Sequence, residues 1–183
     1  NNWFMLRNAV RLLGKWPLKV AEEVLFPDHW RINWQYNRSP IKVNNHYTSI
    51  PSPTDGFIAD PCAVEWEDKT LVFCEHWIRK KARGQIDMFE VARDGAVSDP
   101  VCVLKEDWHL SYPFVFNWEG RWWMLPESSS KGQLNLYVAE RFPTEWTCQE
   151  TFLENVNGCD ATLANIDGYW WMWVSTAPWY LDC

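Results

Sequence analysis

The chain has 183 residues, of which 22% are charged and 47% hydrophobic, and its formal net charge is −7. This composition is typical of a globular protein and excludes an intrinsically disordered chain. The acidic balance gives a nucleic-acid partner no electrostatic support, and no apolar run is long enough to span a membrane. The 15 tryptophans are unusual. We expect most of them in a core and a minority in a functional site, because indole faces also suit sugar rings.

Residues 1–26 are predicted to be a helical linker or the end of a preceding domain. Arg7, Arg11, Lys15 and Lys19 recur at i, i+4 spacing beside an apolar set. Pro17 is expected to break or restart this helix. A membrane-surface helix with a basic face is one interpretation, and we favour a solvated face on an interdomain linker.

Residues 27–183 are predicted to form an incomplete β-propeller. Its first element is the strand DHWRINWQYN at 28–37, a candidate for a closing blade because propellers often join their two termini in one sheet. A connection rich in Pro and Asn follows this strand and leads to the first of three repeated units.

The three units begin with the same pattern. They are DPCAVEWEDKTLVFCE from Asp60, YPFVFNWEGRWWMLPE from Tyr112 and DATLANIDGYWWMWVS from Asp160, at offsets of 52 and 48 residues. Each has an apolar strand, a two-residue turn and a second strand rich in apolar or aromatic residues, which predicts a β-hairpin. The predicted turns are Glu67-Asp68, Glu119-Gly120 and Asp167-Gly168.

Two of the units continue beyond the hairpin. GQIDMFEVA from Gly84 matches GQLNLYVAE from Gly132, and fourth strands are predicted at 101–104 and 148–153. Four antiparallel strands in a repeat of about 50 residues predict a propeller blade. The predicted fold class is therefore all-β, a partial propeller of about two and a half blades. Its open strand edges predict aggregation in isolation.

The six cysteines are Cys62, Cys74, Cys102, Cys148, Cys159 and Cys183. They form no C-x-x-C pair, and no histidines lie nearby at zinc-like spacing, so no metal site and no cofactor is predicted. We expect reduced, buried thiols, with a disulfide as the alternative.

The candidate site lies at one end of the propeller axis. The first strand of each blade lines the axis and the second strand runs back, so residues at equivalent positions converge at one mouth of the central funnel. The expected set is Asp60, Tyr112 and Asp160 from first strands, and Glu75, Glu127 and Ser175 from second strands.

Carboxyl groups around an aromatic-rimmed funnel suit a sugar site. Cleavage of a glycoside needs one carboxylic acid and one carboxylate, and burial or mutual repulsion raises the pKa of the acid. The candidate catalytic residues are Asp60, Glu127 and Asp160, and the candidate substrate-binding residues are Glu75, His109, Tyr112 and Ser175.

Structural roles compete with these functional ones. An Asp at a strand start often caps a turn, and for Asp60 and Asp160 the two interpretations weigh about equally. Glu127 follows Pro126 where nothing structural requires a Glu. Glu75 and His76 are expected to be a surface pair rather than metal ligands. The adjacent tryptophans Trp122-Trp123 and Trp170-Trp171 are expected in the core on the two faces of their blades.

Four motifs together resemble one family: FIADP at 57–61, HLSYPFVF at 109–116, WMLPESS at 123–129 and CDATL at 159–163. That family is the N-terminal propeller-like domain of plant glucosamine inositolphosphorylceramide transferase. It also occurs in bacterial proteins, some of them joined to a formyltransferase-like domain. The resemblance covers roughly residues 28–176.

The resemblance implies a five-bladed propeller, similar to the furanosidases of glycoside hydrolase family 43 and the invertases. In that group the base or nucleophile is an Asp on the first inner strand, which Asp60 matches. An Asp in a later blade tunes the acid, and Asp160 is the candidate for it. The acid is a Glu from a middle or later blade, and Glu127 is the candidate in this chain. In the transferase family the transfer chemistry is assigned to a separate C-terminal glycosyltransferase domain.

Three functions follow from these observations. We favour a carbohydrate-recognising module that positions a glycan or glycolipid for a transferase. The alternatives are a furanosidase-type glycosidase with paired carboxylates and a scaffold for protein contacts. The expected partners are a carbohydrate or glycolipid, further blades and a fused transferase domain. Localisation stays open, with the cytoplasm favoured for a bacterial member.

Overall fold

The computed structural model describes residues 30–37 and 46–176. The chain divides into two units, Asn1–Trp30 and Arg31–Cys183, and the described residues belong almost wholly to the second. The helix predicted within 1–26 lies outside the described residues. Within the described ranges, no helix has the length and apolar character needed to cross a membrane.

Two four-stranded antiparallel sheets make up most of the described chain. Blade I consists of β3 (Gly56–Trp66), β4 (Lys69–Ile78), β5 (Arg83–Val91) and β6 (Val101–Leu104). Blade II consists of β7 (Ser111–Trp118), β8 (Arg121–Glu127), β9 (Gln133–Arg141) and β10 (Glu145–Glu154). In both blades the strands are hydrogen-bonded in chain order. The repeated sequence pattern thus folds twice into the same four-stranded unit.

The third repeat forms the hairpin of β11 (Gly158–Ile166) and β12 (Tyr169–Thr176), which we call blade III. All three predicted turns are present, and their first residues have positive φ: 56° at Glu67, 50° at Glu119 and 53° at Asp167. Gly120 and Gly168 follow with φ of 75° and 81°. Two successive residues with positive φ are the mark of a type I′ turn, which matches the twist of the strands that it joins.

The strand expected at 28–37 is much shorter than its sequence pattern suggested. Within its described part, residues 30–37, only β1 (Asn33–Trp34) is a strand, and it pairs with β2 (Thr48–Ser49) in a separate two-stranded sheet. Ile32 and Ile50 flank this pair and are buried against Val72 of blade I. Among the described residues, neither β1 nor β2 is hydrogen-bonded to a blade, because their apolar neighbours pack on the face of blade I instead of extending its edge.

The core lies in the seams between blades. Because side chains alternate along a strand, Leu71 and Phe73 of β4 face blade II, while Val72 and Cys74 face the opposite side. The seam between blades I and II is filled by a cluster of buried hydrophobic residues: Leu71, Phe73, Ile86, Met88, Val103, Leu104, Leu110, Val115, Met124 and Tyr137. A second seam, between blades II and III, is filled by Leu125, Leu134, Leu136 and Ala161. Glu75 continues the Leu71–Phe73 face and therefore stands at the end of the first seam.

The tryptophan pairs differ between the second and third hairpins. Trp122 stacks on Phe142 with ring centroids 4.2 Å apart in the first seam, and Trp123 packs in the second, as expected of a pair that faces both sides. Trp170 and Trp171 of β12 are exposed instead. The expectation of core positions is wrong for that pair in the described structure, because β12 has no third strand beside it within the described ranges.

The cysteines also depart from expectation in part. Cys62, Cys74, Cys102 and Cys148 are free thiols, but only Cys74 is fully buried while Cys102 and Cys148 are exposed. Cys159 is disulfide-bonded. The expectation of reduced thiols therefore holds at four positions and is wrong at Cys159.

Candidate functional site

The three inner strands bulge at the same place. The registers shift between Ala59 and Cys62 on β3, between Ser111 and Phe114 on β7, and between Cys159 and Thr162 on β11. Each bulge contains a non-glycine residue in the left-handed region: Asp60 (φ 50°), Tyr112 (φ 41°) and Asp160 (φ 53°). Such a conformation costs roughly 1–2 kcal/mol, and bulges of this kind re-aim a side chain. Because the backbone is strained at three equivalent positions, we infer that the side chains there have a functional role.

The sequence placed these three residues at strand starts, and the structure corrects that position. β3 begins four residues earlier at Gly56, β7 begins at Ser111 and β11 begins at Gly158, because the hydrogen-bond ladder continues on both sides of each bulge. The partners across the hairpins are nevertheless the expected ones. The pairs next to the bulges are Ala59–Glu75, Ser111–Glu127 and Cys159–Ser175, and we call this level the funnel mouth.

Glu127 is held by hydrogen bonds on both carboxyl oxygens. Its Oε1 accepts a bond from Ser129 Oγ at 2.7 Å, and its Oε2 accepts one from the backbone N–H of Asp160 at 3.2 Å. Burial raises the pKa of Glu127, these two bonds lower it, and the charges of Asp160 and Asp60 raise it. Glu127 therefore joins the second strand of blade II to the bulge of blade III.

Asp60 lies exposed at the funnel mouth, and its carboxyl accepts the backbone N–H of Tyr112. Burial of the carboxyl raises the pKa of Asp60, the bond from Tyr112 lowers it, and the charge of Asp160 raises it. The hydroxyl of Tyr112 lies 3.1 Å from Thr162 Oγ1 on β11. The bulge of blade II thus connects to both neighbouring blades, through its backbone on one side and its side chain on the other.

Glu75 is buried, with 7% of its surface exposed. Burial raises the pKa of Glu75 to about 8, with further increases from the charges of Asp60 and Glu127. Asp60, Glu75, Glu127 and Asp160 lie at or beside the bulges at the same level of their hairpins, and Glu127 is bonded to the backbone of Asp160. We call these four residues the carboxyl cluster.

The neighbour of Glu75, His76, points to the opposite face of the strand. Its Nδ1 lies 2.7 Å from Asp87 Oδ2 and its Nε2 lies 3.1 Å from Asp55 Oδ1. Both Glu75 and His76 are buried. The expectation of a surface pair is therefore wrong, because β4 is covered on both faces up to its end.

His109 precedes β7 and lies beside Glu75. Its Nδ1 accepts the backbone N–H of Gly84 at 2.7 Å, so the ring proton is on Nε2, which lies 3.7 Å from Glu75 Oε1. Burial lowers the pKa of His109. The ring packs edge-on against Trp77 with centroids 5.3 Å apart. His109 is a neutral N–H donor directed toward the carboxyl of Glu75.

Two residues of the mouth were not among the sequence candidates, Trp77 and Gly84. β4 runs three residues beyond Glu75 to Ile78, whereas β8 ends at Glu127, and this extension carries Trp77 stacked on Phe57. A Cβ at Gly84 would lie 2.8 Å from Glu75 Oε1 and 2.4 Å from the carbonyl oxygen of Leu110. The longer HWIRKKAR segment of the first unit could have indicated both residues, because it lengthens the strand at this end.

The remaining candidate, Ser175, stays outside the carboxyl cluster. It is exposed, and within the described ranges its side chain makes no hydrogen bond to the cluster. No group of three or more His, Cys, Asp or Glu side chains among the described residues is arranged to hold a metal ion. A cavity of about 290 Å³ opens between the two inner strands and is lined by Asp60, Pro61, Cys62, Ala63, Tyr112, Pro113 and Phe114.

The chain is similar to proteins of known family. A family model described as glucosamine inositolphosphorylceramide transferase 1, N-terminal, matches residues 26–180. The glucosamine inositolphosphorylceramide transferase 1 of Oryza sativa subsp. indica is 31% identical over 170 residues, which cover 80% of this chain and 23% of the relative. That of Arabidopsis thaliana is 34% identical over 169 residues, which cover 87% of this chain and 22% of the relative. The chain thus spans less than a quarter of the length of these relatives.

A solved structure supports the fold. Bacteroides ovatus Xyloglucan PUL GH43B superimposes with a TM-score of 0.52 at 16% sequence identity, over 67% of this chain and 24% of that one. The likeness shows that the described blades have a partial β-propeller fold like that of this structure.

Proposed function

Because the chain belongs to the glucosamine inositolphosphorylceramide transferase 1 N-terminal family, we propose that its propeller binds a carbohydrate at the funnel mouth. In this proposal the domain recognises a glycan or glycolipid, and the chemistry of transfer takes place in another domain of a longer protein. The relatives are named as transferases and extend well beyond the matched region, which supports a separate transferase domain.

The observation that carries the proposal is the carboxyl cluster. Four carboxyl groups meet at one mouth although burial, and then the charges of their neighbours, raise the pKa of Asp60, Glu75 and Glu127. Folding alone does not require this arrangement, and apolar side chains would cost less there. Carboxyl oxygens beside the rings of Trp77 and His109 are groups that bind the hydroxyls and the apolar face of a sugar.

A glycosidase is the second candidate, and one observation favours it. Glu75 and Asp60 lie close together in different surroundings, one buried and the other exposed at the mouth. Two carboxyl groups whose surroundings separate their pKa values are the usual basis of acid and base assignment in glycoside cleavage. A scaffold for protein contacts would need neither the buried carboxyl nor the strained bulges.

The test uses the full-length protein incubated with furanosides, inositol glycolipids and glucuronic-acid-containing glycans. Bound ligand and released sugar are both measured for the natural protein and for Asp60→Asn, Glu127→Gln and Glu145→Gln. Glu145 is an exposed glutamate on β10 and serves as the matched control. We expect saturable binding without release, weakened about tenfold or more by the first two substitutions, since a hydrogen bond to a charged group is worth about 1.5–3 kcal/mol.

The outcomes separate the three functions. Sugar release that falls by orders of magnitude in Asp60→Asn or Glu127→Gln, with folding intact, would establish a glycosidase. Neither binding nor release across the panel would count against a sugar site and in favour of a scaffold. Equal weakening in Glu145→Gln would show that the effect is not specific to the funnel mouth.

A further inference from the structure

The two seams between blades carry a glutamate at the same place, but the two glutamates are bonded differently. Glu127 in the second seam accepts one hydrogen bond on each oxygen. Glu75 is its equivalent in the first seam, at the same pairing position beside the bulge. The backbone N–H that corresponds to that of Asp160 belongs to Tyr112, and Asp60 takes it. Among the residues that the structure describes, Glu75 is therefore left without a hydrogen bond, although it is only 7% exposed.

The groups around Glu75 do not stabilise a negative charge. Asp60 faces it from β3 and Glu127 faces it from β8, and both raise its pKa. The charge of Asp160 acts in turn on Asp60 and Glu127, so each charged neighbour of Glu75 in the cluster is acidic. In the described part of the chain, no lysine or arginine forms an ion pair with Glu75, and its one basic neighbour is His109 at 3.7 Å. His109 is itself buried and kept neutral, so it offers an N–H but no charge.

We propose that Glu75 is the hydrogen-bond donor of the funnel mouth, a neutral carboxylic acid that donates its proton to an acceptor oxygen of the bound sugar. The inference rests on the sugar site proposed above and assigns Glu75 a donor role there. Its O–H complements the carboxylate of Asp60, which only accepts. The pair suits two neighbouring hydroxyls of an uncharged sugar, one accepting from Glu75 and the other donating to Asp60.

Geometry supports the direction of this donation. Nε2 of His109 lies 3.7 Å from Oε1 of Glu75, and Gly84 leaves no side chain between them. The seam core of Leu71 and Phe73 closes the site from below, since Glu75 continues their face of β4. The carboxyl of Glu75 thus lies between the apolar seam core and a neutral ring, at the level of the bulges. A proton held there stays within reach of a ligand.

The first experiment does not need a ligand. Infrared difference spectra of the full-length protein are recorded as the pH rises from about 6 to about 10. We expect the C=O stretching band of a protonated carboxyl to disappear around pH 8, and we expect Glu75→Gln to lack that band. Glu145→Gln is the control and should keep it. Absence of the band in the natural protein, or its persistence in Glu75→Gln, would overturn the inference.

The second experiment measures binding against pH with methyl α-L-arabinofuranoside and D-glucosamine as the neutral and the cationic probe. The neutral form of a carboxyl falls about tenfold for each pH unit above its pKa. We therefore expect the neutral probe to bind the natural protein at least tenfold more weakly at about pH 9.5 than at about pH 7. In Glu75→Gln this dependence should flatten, whereas in Glu145→Gln it should persist.

The outcomes distinguish failure of this inference from failure of the sugar site. A pH profile in Glu75→Gln with the natural slope would overturn the donor role. A preference for glucosamine over the neutral probe at about pH 7 that is stronger in the natural protein than in Glu75→Gln would also overturn it, because that difference requires an ionised Glu75. If neither these probes nor the wider panel bind at any pH, the sugar site fails, and the infrared band alone still decides whether Glu75 holds a proton.

Discussion

At the scale of single residues, the site depends on groups held in unfavourable states. Asp60, Tyr112 and Asp160 adopt left-handed backbone conformations that non-glycine residues normally avoid. Glu75 is buried without a hydrogen-bond partner in the described part of the chain, and at position 84 only a glycine fits between Glu75, His109 and the backbone at Leu110. Each of these costs stability, so we interpret them as features of function rather than of folding.

Stability should depend on pH through Glu75. Its pKa rises from 4.5 to about 8 on folding, so the folded state binds the proton more tightly than the unfolded state. The contribution of Glu75 to the free energy of unfolding is therefore highest below about pH 4.5, falls as the pH rises to about 8 and then levels off. Glu75→Gln removes this fall. The free energy of unfolding of this variant should exceed that of the natural protein by an amount that grows across this pH window to a few kcal/mol. The difference is read as a higher melting temperature.

Thermal unfolding of the full-length protein at a series of pH values checks this expectation. Glu145→Gln, at an exposed site, should follow the natural protein throughout. A constant offset between Glu75→Gln and the natural protein from about pH 4.5 to 8 would mean that the carboxyl does not change its proton affinity on folding.

At the scale of elements, the hairpin is the repeated unit, and its turn sets the register. Glu119 and Gly120 both have positive φ, and the turn places Ser111 opposite Glu127 at the other end of the hairpin. A shift of one residue would move every side chain of β8 to the opposite face and take Glu127 away from the mouth. The local turn therefore controls a site about seven residues away along the strand.

Glu119→Asn should stabilise the second hairpin. Asn tolerates the left-handed conformation better than Glu, and Asn-Gly is the preferred type I′ pair. Glu119 is exposed, so no packing is lost. We expect a gain of roughly 0.5–1 kcal/mol, read as a rise in melting temperature of the full-length protein. Glu119→Ala, which lacks the local hydrogen bonds of Asn, should give no gain. Equal effects of the two substitutions would show that the turn conformation is not the cause.

At the scale of the whole molecule, stability comes from seams between blades. The first two seams are filled by apolar clusters and tied by polar contacts such as Glu127 to Asp160 and Tyr112 to Thr162. Blade III contains two strands among the described residues, and its β12 leaves Trp171 and Trp173 with 54% and 52% of their surface exposed. Phe73 and Leu125, the residues of blades I and II that are equivalent to Trp173, are fully buried.

A polypeptide restricted to residues 27–183 should therefore self-associate. An open strand edge next to stacked, exposed indoles is a site for pairing with another chain. Size-exclusion chromatography with light scattering should show oligomers or aggregates that decrease in Trp171→Lys and Trp173→Lys. Trp30→Lys, which changes an exposed tryptophan outside the blades, is the control. A monomeric polypeptide that melts cooperatively would contradict this expectation.

Much of the architecture was predictable because it is encoded locally. The period of alternation, the turn residues and the repeat offsets identified all three hairpins, both four-stranded blades and the turns at Glu67, Glu119 and Asp167. The sequence also predicted that Glu75 and Glu127 lie across the hairpin from the residues at the bulges, because the length of a hairpin determines which residues face each other. The four matched motifs were enough to indicate the family to which the chain belongs.

Other features depended on tertiary contacts that no local pattern encodes. Glu75 would be hydrogen-bonded like Glu127 if it accepted the backbone N–H of Tyr112, but Asp60 accepts that N–H instead. This difference depends on contacts between two blades. The burial of His76, the tautomer of His109 and the exposure of Trp171 likewise depend on what packs against each strand. The sequence by itself determined the strands and their partners, because hydrogen bonding and alternation act over a few residues. Only the tertiary structure decided the protonation and bonding of the carboxyl cluster, because these depend on groups that are distant in the chain and adjacent in space.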